Sequence, residues 1–440
     1  MRSLLFIAFV ITCNAFILSA ETYYGSCGDK LAWSLNSEDS TLTISGQGAM
    51  KNWEYTSSIP WYQYRSLIVT IILPNAITTI GNRAFQHCES LRNINIPNKI
   101  ISIGDYAFSS CSSLLAITIP GNVTSIGTST FANCIALNTI NISNGVASIG
   151  QSAFYNCQSL SSIYIPKSIT SIGSSAFSSC SSMTNINVEA SNPSYSSIDG
   201  VLFDKTLTTL IQYPIGKNES TYLIPGSVTT IGNFAFEKCS FIDSINIPNN
   251  IVYICRMAFH ACDSLNVVNI GSGVTTIEEG AFFECYSLTA INVNKDNSKY
   301  SSKEGVLYDK SGTALVLYPI KNTVTSYTIA DSVTLICQWA FHKCIYLSAL
   351  TCEAEIPPRV LDGVFYQVDK SIPLYVPANS IDAYKSAAGW KEFFNIQQII
   401  STTYNVTNNS VVTNEKFIRD GQVLILRDGK TYTVQGEEVK

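Results

Sequence analysis

The chain has 440 residues, of which 46% are apolar and only 13% charged, and its formal net charge is −5. That is enough apolar material for a large core, and length alone would suggest two or three domains. With no basic patch or arginine run in the sequence, nucleic acid is not an expected partner. Low charge together with many Ser, Thr, Asn and Tyr residues suits a polar extracellular surface.

Residues 1–20, MRSLLFIAFVITCNAFILSA, carry one Arg and then an apolar run ending in Ser-Ala. This pattern predicts a secretory signal peptide cleaved after Ala20. The run falls short of the ~20 residues a membrane span needs and is interrupted by Asn14. A lipoprotein would use Cys13, but VITC places Thr where Gly or Ala is usual. Residues 21–66 read as two strands around a polar turn, followed by Trp53, Trp61 and Tyr62. They are expected to form an N-terminal β cap, because the open end of a stacked array exposes apolar surface.

Residues 67–400 are organised by a 23-residue period, and self-similarity of this kind signals a solenoid rather than several globular domains. The register is clearest on Phe85, Phe108, Phe131, Phe154 and Phe177, and it resumes on Phe236, Phe259, Phe282 and Phe341. Cys follows each Phe by three residues, and Leu (once Met183) follows by six in the first five repeats. An alternating pair such as Ile163/Ile165 then marks a strand with one buried face. Pro97, Pro120 and Pro166 close such strands, and a second short strand ends in Ile-Gly, the Gly permitting a sharp turn. Tyr62 lies one period before Phe85, so the first coil is expected to begin inside the cap. The spacing across Gly-x-x-Ala-Phe-x-x-Cys-x-x-Leu predicts a short helical or 3₁₀ turn. The expected fold is a β-rich α/β solenoid of about eleven coils with rungs about 5 Å apart.

The series jumps by 59 residues after Phe177 and again after Phe282. The intervening inserts, near 190–225 and 295–330, match at an offset of 105: NPSYSSIDGVLFDK at 192–205 and NSKYSSKEGVLYDK at 297–310. Each predicts a hairpin turning at Asp-Lys. Repeats of the form IGxxAFxxCxxLxxIxIP with such inserts closely resemble the BspA-like leucine-rich repeat proteins over roughly residues 25–400. Departures are minor: Cys255, Cys337 and Glu278 replace the turn Gly, and Thr130 replaces Ala. The resemblance implies a right-handed leucine-rich repeat array and adhesion to host matrix proteins or to other cells.

Residues 345–400 are expected to be the C-terminal cap, with a helix starting at Asn379-Ser380 and carrying Tyr384 and Trp390. Residues 401–416 read as a linker. The tail, 417–440, predicts a hairpin at Asp428-Gly429 and resembles the short sorting or anchoring segments of secreted Bacteroidetes proteins.

Chemistry is harder to find. His87, His260 and His342 lie in different repeats and assemble no dyad or metal cluster. Asp199, Asp204 and Asp309 fall in turns, where Asp commonly bonds its own backbone. Of fourteen Cys, nine (88, 111, 134, 157, 180, 239, 262, 285, 344) hold one repeat position. They are expected to stack as a column of buried thiols, although neighbouring rungs are close enough for disulfides. No catalytic residue, metal or cofactor is expected, and an enzyme would need a clustered acid pair or a deep pocket.

What remains is surface. Residues between the buried Ile pair point outward, as a column including Asn95, Thr118, Asn141, Tyr164, Asn187, Asn246, Asn269 and Asn292. These, with the insert aromatics Tyr195, Tyr213, Tyr300 and Tyr318, are the candidate ligand contacts. A plain solubilising face, with Asn side chains bonding along the column, is the competing reading. The function expected is protein binding or adhesion by a secreted or cell-surface protein. The alternative is a glycan-binding surface protein of a polysaccharide system, with sugars stacked on the insert aromatics.

Overall fold

The computed structural model describes residues 21–399 and, in the C-terminal segment, the strands Glu415–Arg419, Gln422–Arg427, Lys430–Thr433 and Glu438–Val439. The alternating Ile pairs do form strands. Ser162–Ile165 reads exposed, buried, exposed, buried along its length. It pairs in parallel with Asn185–Val188 of the next coil, Ile163 opposite Ile186. The shorter strands make a second parallel ladder, with Ile149 opposite Ile172. Together they build a β-solenoid of about 14 turns, more than the eleven expected, because each insert contributes a coil and the terminal segments continue the stack.

The segment expected to be helical is not helical. From Gly81 to Cys88 it is a staircase of three overlapping β-turns. Ala84, Gln86 and Cys88 donate to the carbonyls of Gly81, Arg83 and Phe85, three residues back. The intervening N–H groups, of Arg83, Phe85 and His87, donate instead to Asp105, Ala107 and Ser109 in the next coil. The apolar spacing mimics a helix because alternate residues face the core between tight turns. Arg83 and His87 have φ of 61° and 62°, and the same positions are left-handed in coil after coil. Nearly all carry ordinary L-residues, at about 1 kcal/mol or more each, although Gly280 and Gly363 occupy two of them.

The repeat Gly has a different reason from the one expected. Gly150 is not left-handed, but a Cβ there would stand 2.6 Å from the carbonyl carbon of Gly127. Coils touch backbone to backbone at this column, so Gly serves close approach rather than turn geometry.

Inside, the Phe column stacks ring on ring, in one run to Phe177 and in further runs that resume at Tyr213 and at Tyr318. Centroids of Phe85, Phe108, Phe131, Phe154 and Phe177 are 5.4, 5.4, 5.5 and 5.9 Å apart. Trp61, not Tyr62, precedes Phe85 in the stack at 5.7 Å, its indole N–H donating to the Ala84 carbonyl at 2.9 Å. Around it the strands Thr22–Gly28, Leu31–Asn36 and Thr41–Gly46 pair antiparallel, and the last continues in parallel with Thr70–Ile72. At the other end Phe365 meets Trp390 and Phe393. The helix there is only Ile381–Ser386, and Trp390 sits on a separate 3₁₀ turn after Gly389, whose φ is 79°.

Each insert opens with the expected hairpin, Tyr195–Ile198 against Val201–Asp204 and Tyr300–Lys303 against Val306–Asp309. Each then returns to the solenoid as a coil of its own. Tyr213 and Tyr318 stand 23 residues before Phe236 and Phe341 and stack on them at 5.1 and 5.0 Å.

The C-terminal segment forms its own four-stranded antiparallel sheet, starting at Glu415 rather than 417, with Arg427 opposite Lys430 as the Asp-Gly turn predicts. Residues 1–20, and the linker as far as 414, lie outside the described residues.

Candidate functional site

Parallel pairing in register brings the outward strand positions into rows, because equivalent residues of successive coils face each other across a ladder. Asn269 donates to Asn246 at 2.7 Å and Asn292 donates to Asn269 at 2.9 Å. Asn141 reaches Thr118 at 3.4 Å, and Tyr164 lies opposite Asn187. Asn95, Thr118, Asn141, Asn187, Asn246, Asn269 and Asn292 are exposed, and the Tyr164 ring is half exposed. The face carries no charge at these positions. It offers hydrogen-bonding groups and the planar surface of Tyr164.

The row is not uniform. Asn93–Ile94 is only two residues long and ends the sheet it shares with Thr70–Ile72, and a new ladder begins at Ala116. The break leaves an open depression of about 410 Å³ lined by Ile72, Asn93 and Asn95. Ile72, 51% exposed, supplies its apolar floor.

The insert aromatics are placed differently from the expectation. Tyr213 and Tyr318 are buried core rings rather than exposed platforms. Tyr195 and Tyr300 are half-buried, and each phenol oxygen accepts a hydrogen bond, from the N–H of Ile172 and of Ile277, at 2.9 Å. Each supplies the partner that the next short strand would otherwise give. The sequence carried the signal for Tyr213 and Tyr318 in their 23-residue spacing to the next Phe, but a Tyr in a Phe column is easily passed over.

Asn192 and Asn297 are completely buried residues that the sequence reading did not single out. Asn297 donates to the carbonyls of Gly271 and Val274 and accepts from the N–H groups of Lys299 and Tyr300. Asn192 makes the same four bonds at the first insert. Asp204 and Asp309 hold the hairpin ends. Burial would raise the Asp204 carboxyl, but hydrogen bonds from Thr206, Thr208 and Thr209 outweigh it and hold the group below its ordinary range.

The cysteines at the repeat position are buried, and all thirteen in the described residues are free thiols. Cys111, Cys134, Cys157 and Cys180 each donate to the Phe carbonyl of the preceding coil, at 3.0–3.2 Å. Burial pushes Cys88 and Cys134 up to about 12. The column therefore supplies a second, weak donor to carbonyls that already accept from the backbone N–H of the Cys three residues on.

His260 and His342, 82 residues apart in sequence, come within one ring of each other. Phe283 lies between them, stacked on His260 at 5.9 Å and tilted against His342 at 4.6 Å between centroids. His260 faces Glu237 at 3.3 Å and Glu284 at 3.6 Å, and Glu284 accepts from Lys343 at 2.7 Å. His87 lies on a distant coil. Among the described residues no group of three or more His, Cys, Asp or Glu side chains could hold a metal ion. No helix there is long and apolar enough to cross a membrane.

A family model described as the BspA type leucine rich repeat region, in six copies, matches residues 57–184, 102–221, 212–304 and 320–414. The chain belongs to the BspA-type leucine-rich repeat family. A leucine-rich repeat protein from Eubacterium ventriosum superposes with a TM-score of 0.62 at 21% identity, over 82% of this chain and 99% of that one. A leucine rich cell surface protein from Faecalibacterium prausnitzii gives a TM-score of 0.52 at 25% identity, over 76% of this BspA-type chain and 95% of the other. No curated protein matches.

Proposed function

We propose that this BspA-type protein is secreted or held at the cell surface and binds a protein partner through its exposed strand face, acting in adhesion. The observation that carries the reading is the set of uncharged hydrogen-bonding side chains facing outward on the strand ladders, bonded in a row from Asn246 to Asn292, together with the depression at Ile72 and Asn95. A rigid row of this kind sums many weak polar contacts over a long surface, and Ile72 and Tyr164 supply the apolar anchors that protein interfaces need. The signal-peptide pattern of residues 1–20 and the likeness to a cell surface protein support the location. In this reading the array is right-handed, and residues 21–66 and 345–400 cap its ends, where Trp61 and Trp390 cover the ring stack. Matrix and cell-surface proteins are the partner class that the family resemblance suggests. The glycan reading loses two of its four insert aromatics, since Tyr213 and Tyr318 are buried.

The test is biolayer interferometry of the purified protein against matrix proteins and polysaccharides. Saturable binding to a matrix protein, lost in Asn95→Ala/Tyr164→Ala/Asn269→Ala, is expected. Binding that survives the triple variant, or binding to polysaccharide alone, would sink the proposal.

A further inference from the structure

The second insert leaves a cleft on the turn side of the solenoid, away from the strand row. Only two residues separate Leu315 from Tyr318, whereas four separate Ile336 from Phe341 in the coil above. Leu315 pairs with Ile336, and Tyr318 stacks on Phe341, so the coil between is too short to build its own turn staircase. The staircases on either side face each other across the gap, joined by Lys343 to Glu284 at 2.7 Å and by Phe283 against Trp339 at 4.5 Å. The result is a cavity of about 500 Å³. Its walls are mainly apolar: Phe283, Trp339, Val316, Leu317 and Leu361, with His342 and the Cys337 thiol.

We infer that this cleft binds a small neutral aromatic molecule bearing one hydroxyl, a phenol in chemical class. The volume falls in the range of small-molecule sites, and such sites pair apolar walls with a few polar groups. His342 supplies the polar group. It is 8% exposed, and its Nδ1 is buried without a hydrogen-bond partner. Burial first, and the nearby Lys343 charge second, hold the imidazole below its ordinary value, so the ring is neutral. A hydroxyl satisfies Nδ1 in either tautomer, because it both donates and accepts. The walls favour an aromatic body, since the rings of Phe283, Trp339 and His342 are among the lining residues.

An anion is disfavoured by the four carboxylates that line the cleft, and each of these is engaged elsewhere. Glu284 is held by Lys343, Glu279 lies 4.0 Å from the Arg256 guanidinium, Glu278 accepts from the N–H of Arg256 at 2.7 Å, and Asp309 accepts from the N–H of Ala314 at 2.7 Å. The first insert provides an internal contrast. Ser178, Phe234 and Glu237 stand there in place of Phe283, Trp339 and His342, at the same offset of 105.

The test uses the full chain and two probes, p-cresol and toluene. Cys337 lines the cleft, while Cys255 occupies the same repeat position outside it, and neither is fully buried. Iodoacetamide labelling followed by peptide mass spectrometry reads both thiols in one sample. Saturating p-cresol should slow modification of Cys337 and leave Cys255 unchanged. Isothermal titration should give one site, with toluene about fivefold weaker, the worth of one net hydrogen bond. His342→Phe should bring p-cresol down to the toluene affinity, and Val316→Trp should abolish both. An unchanged ratio of Cys337 to Cys255 rates overturns the assignment even if a variant fails to fold. So does p-cresol binding that survives Val316→Trp in a folded protein.

Discussion

Asn297→Ala should release the second insert from the solenoid. The side chain is wholly buried and makes four hydrogen bonds of 2.8–3.0 Å. A net hydrogen bond is worth about 1 kcal/mol, and an orphaned buried group costs more. The carbonyls of Gly271 and Val274 belong to buried residues and accept from no other group, whereas the N–H of exposed Lys299 can turn to water. Allowing for that rescue, the loss is about 3 kcal/mol. Asn297→Asp should be no better. It keeps the two acceptor bonds but sets carboxylate oxygen against two carbonyls and buries a charge. A solenoid is stabilised coil by coil, so the damage should be local. Hydrogen exchange read by mass spectrometry should rise over 271–309 and stay unchanged over 103–149. Asn192→Ala should behave alike at the first insert. A loss below about 1 kcal/mol in urea titration, or exchange that rises evenly along the chain, would refute the reasoning.

Phe131→Ala removes a ring stacked at 5.4 and 5.5 Å on its neighbours and should cost about 3–5 kcal/mol, seen as a lowered thermal midpoint. Ser152 is left-handed, with φ of 53°. Ser152→Gly should fall within about 0.5 kcal/mol of the parent, since relief of the backbone offsets Gly entropy, while Ser152→Val should lose about 2 kcal/mol in the same melt. Equal tolerance of Val and Gly would mean that the turn staircase is wrong. The Cys column makes stability pH-dependent. The folded thiols of Cys88 and Cys134 titrate at about 12 against an unfolded value of 9.0, so their contribution is complete below pH 9 and is lost as pH rises toward 12. The melting temperature should therefore fall from pH 9 upward, and a variant with Ala at both positions should show a shallower fall.

The sequence alone determined the parts of this protein that repeat. A Phe, Cys and Ile every 23 residues can be buried together only by stacking, so the period, the two strand ladders, the thiol column and the paired hairpins were legible before any coordinates. The same residues misled where two conformations share a pattern. Apolar spacing of three and four describes a helix and also a run of β-turns, and only the inter-coil bonds from Arg83, Phe85 and His87 decide between them. Gly150 could equally have meant a left-handed turn, until its contact with Gly127 showed close stacking. Tyr213 and Tyr318 became core rings because the inserts close into coils, and Trp61 replaced Tyr62 because its indole reaches the Ala84 carbonyl. The cleft beside Phe283 and His342 belongs to the tertiary structure entirely. It arises from a two-residue shortfall between Leu315 and Tyr318, which has no consequence until the neighbouring coils stack at fixed spacing and leave the missing volume open.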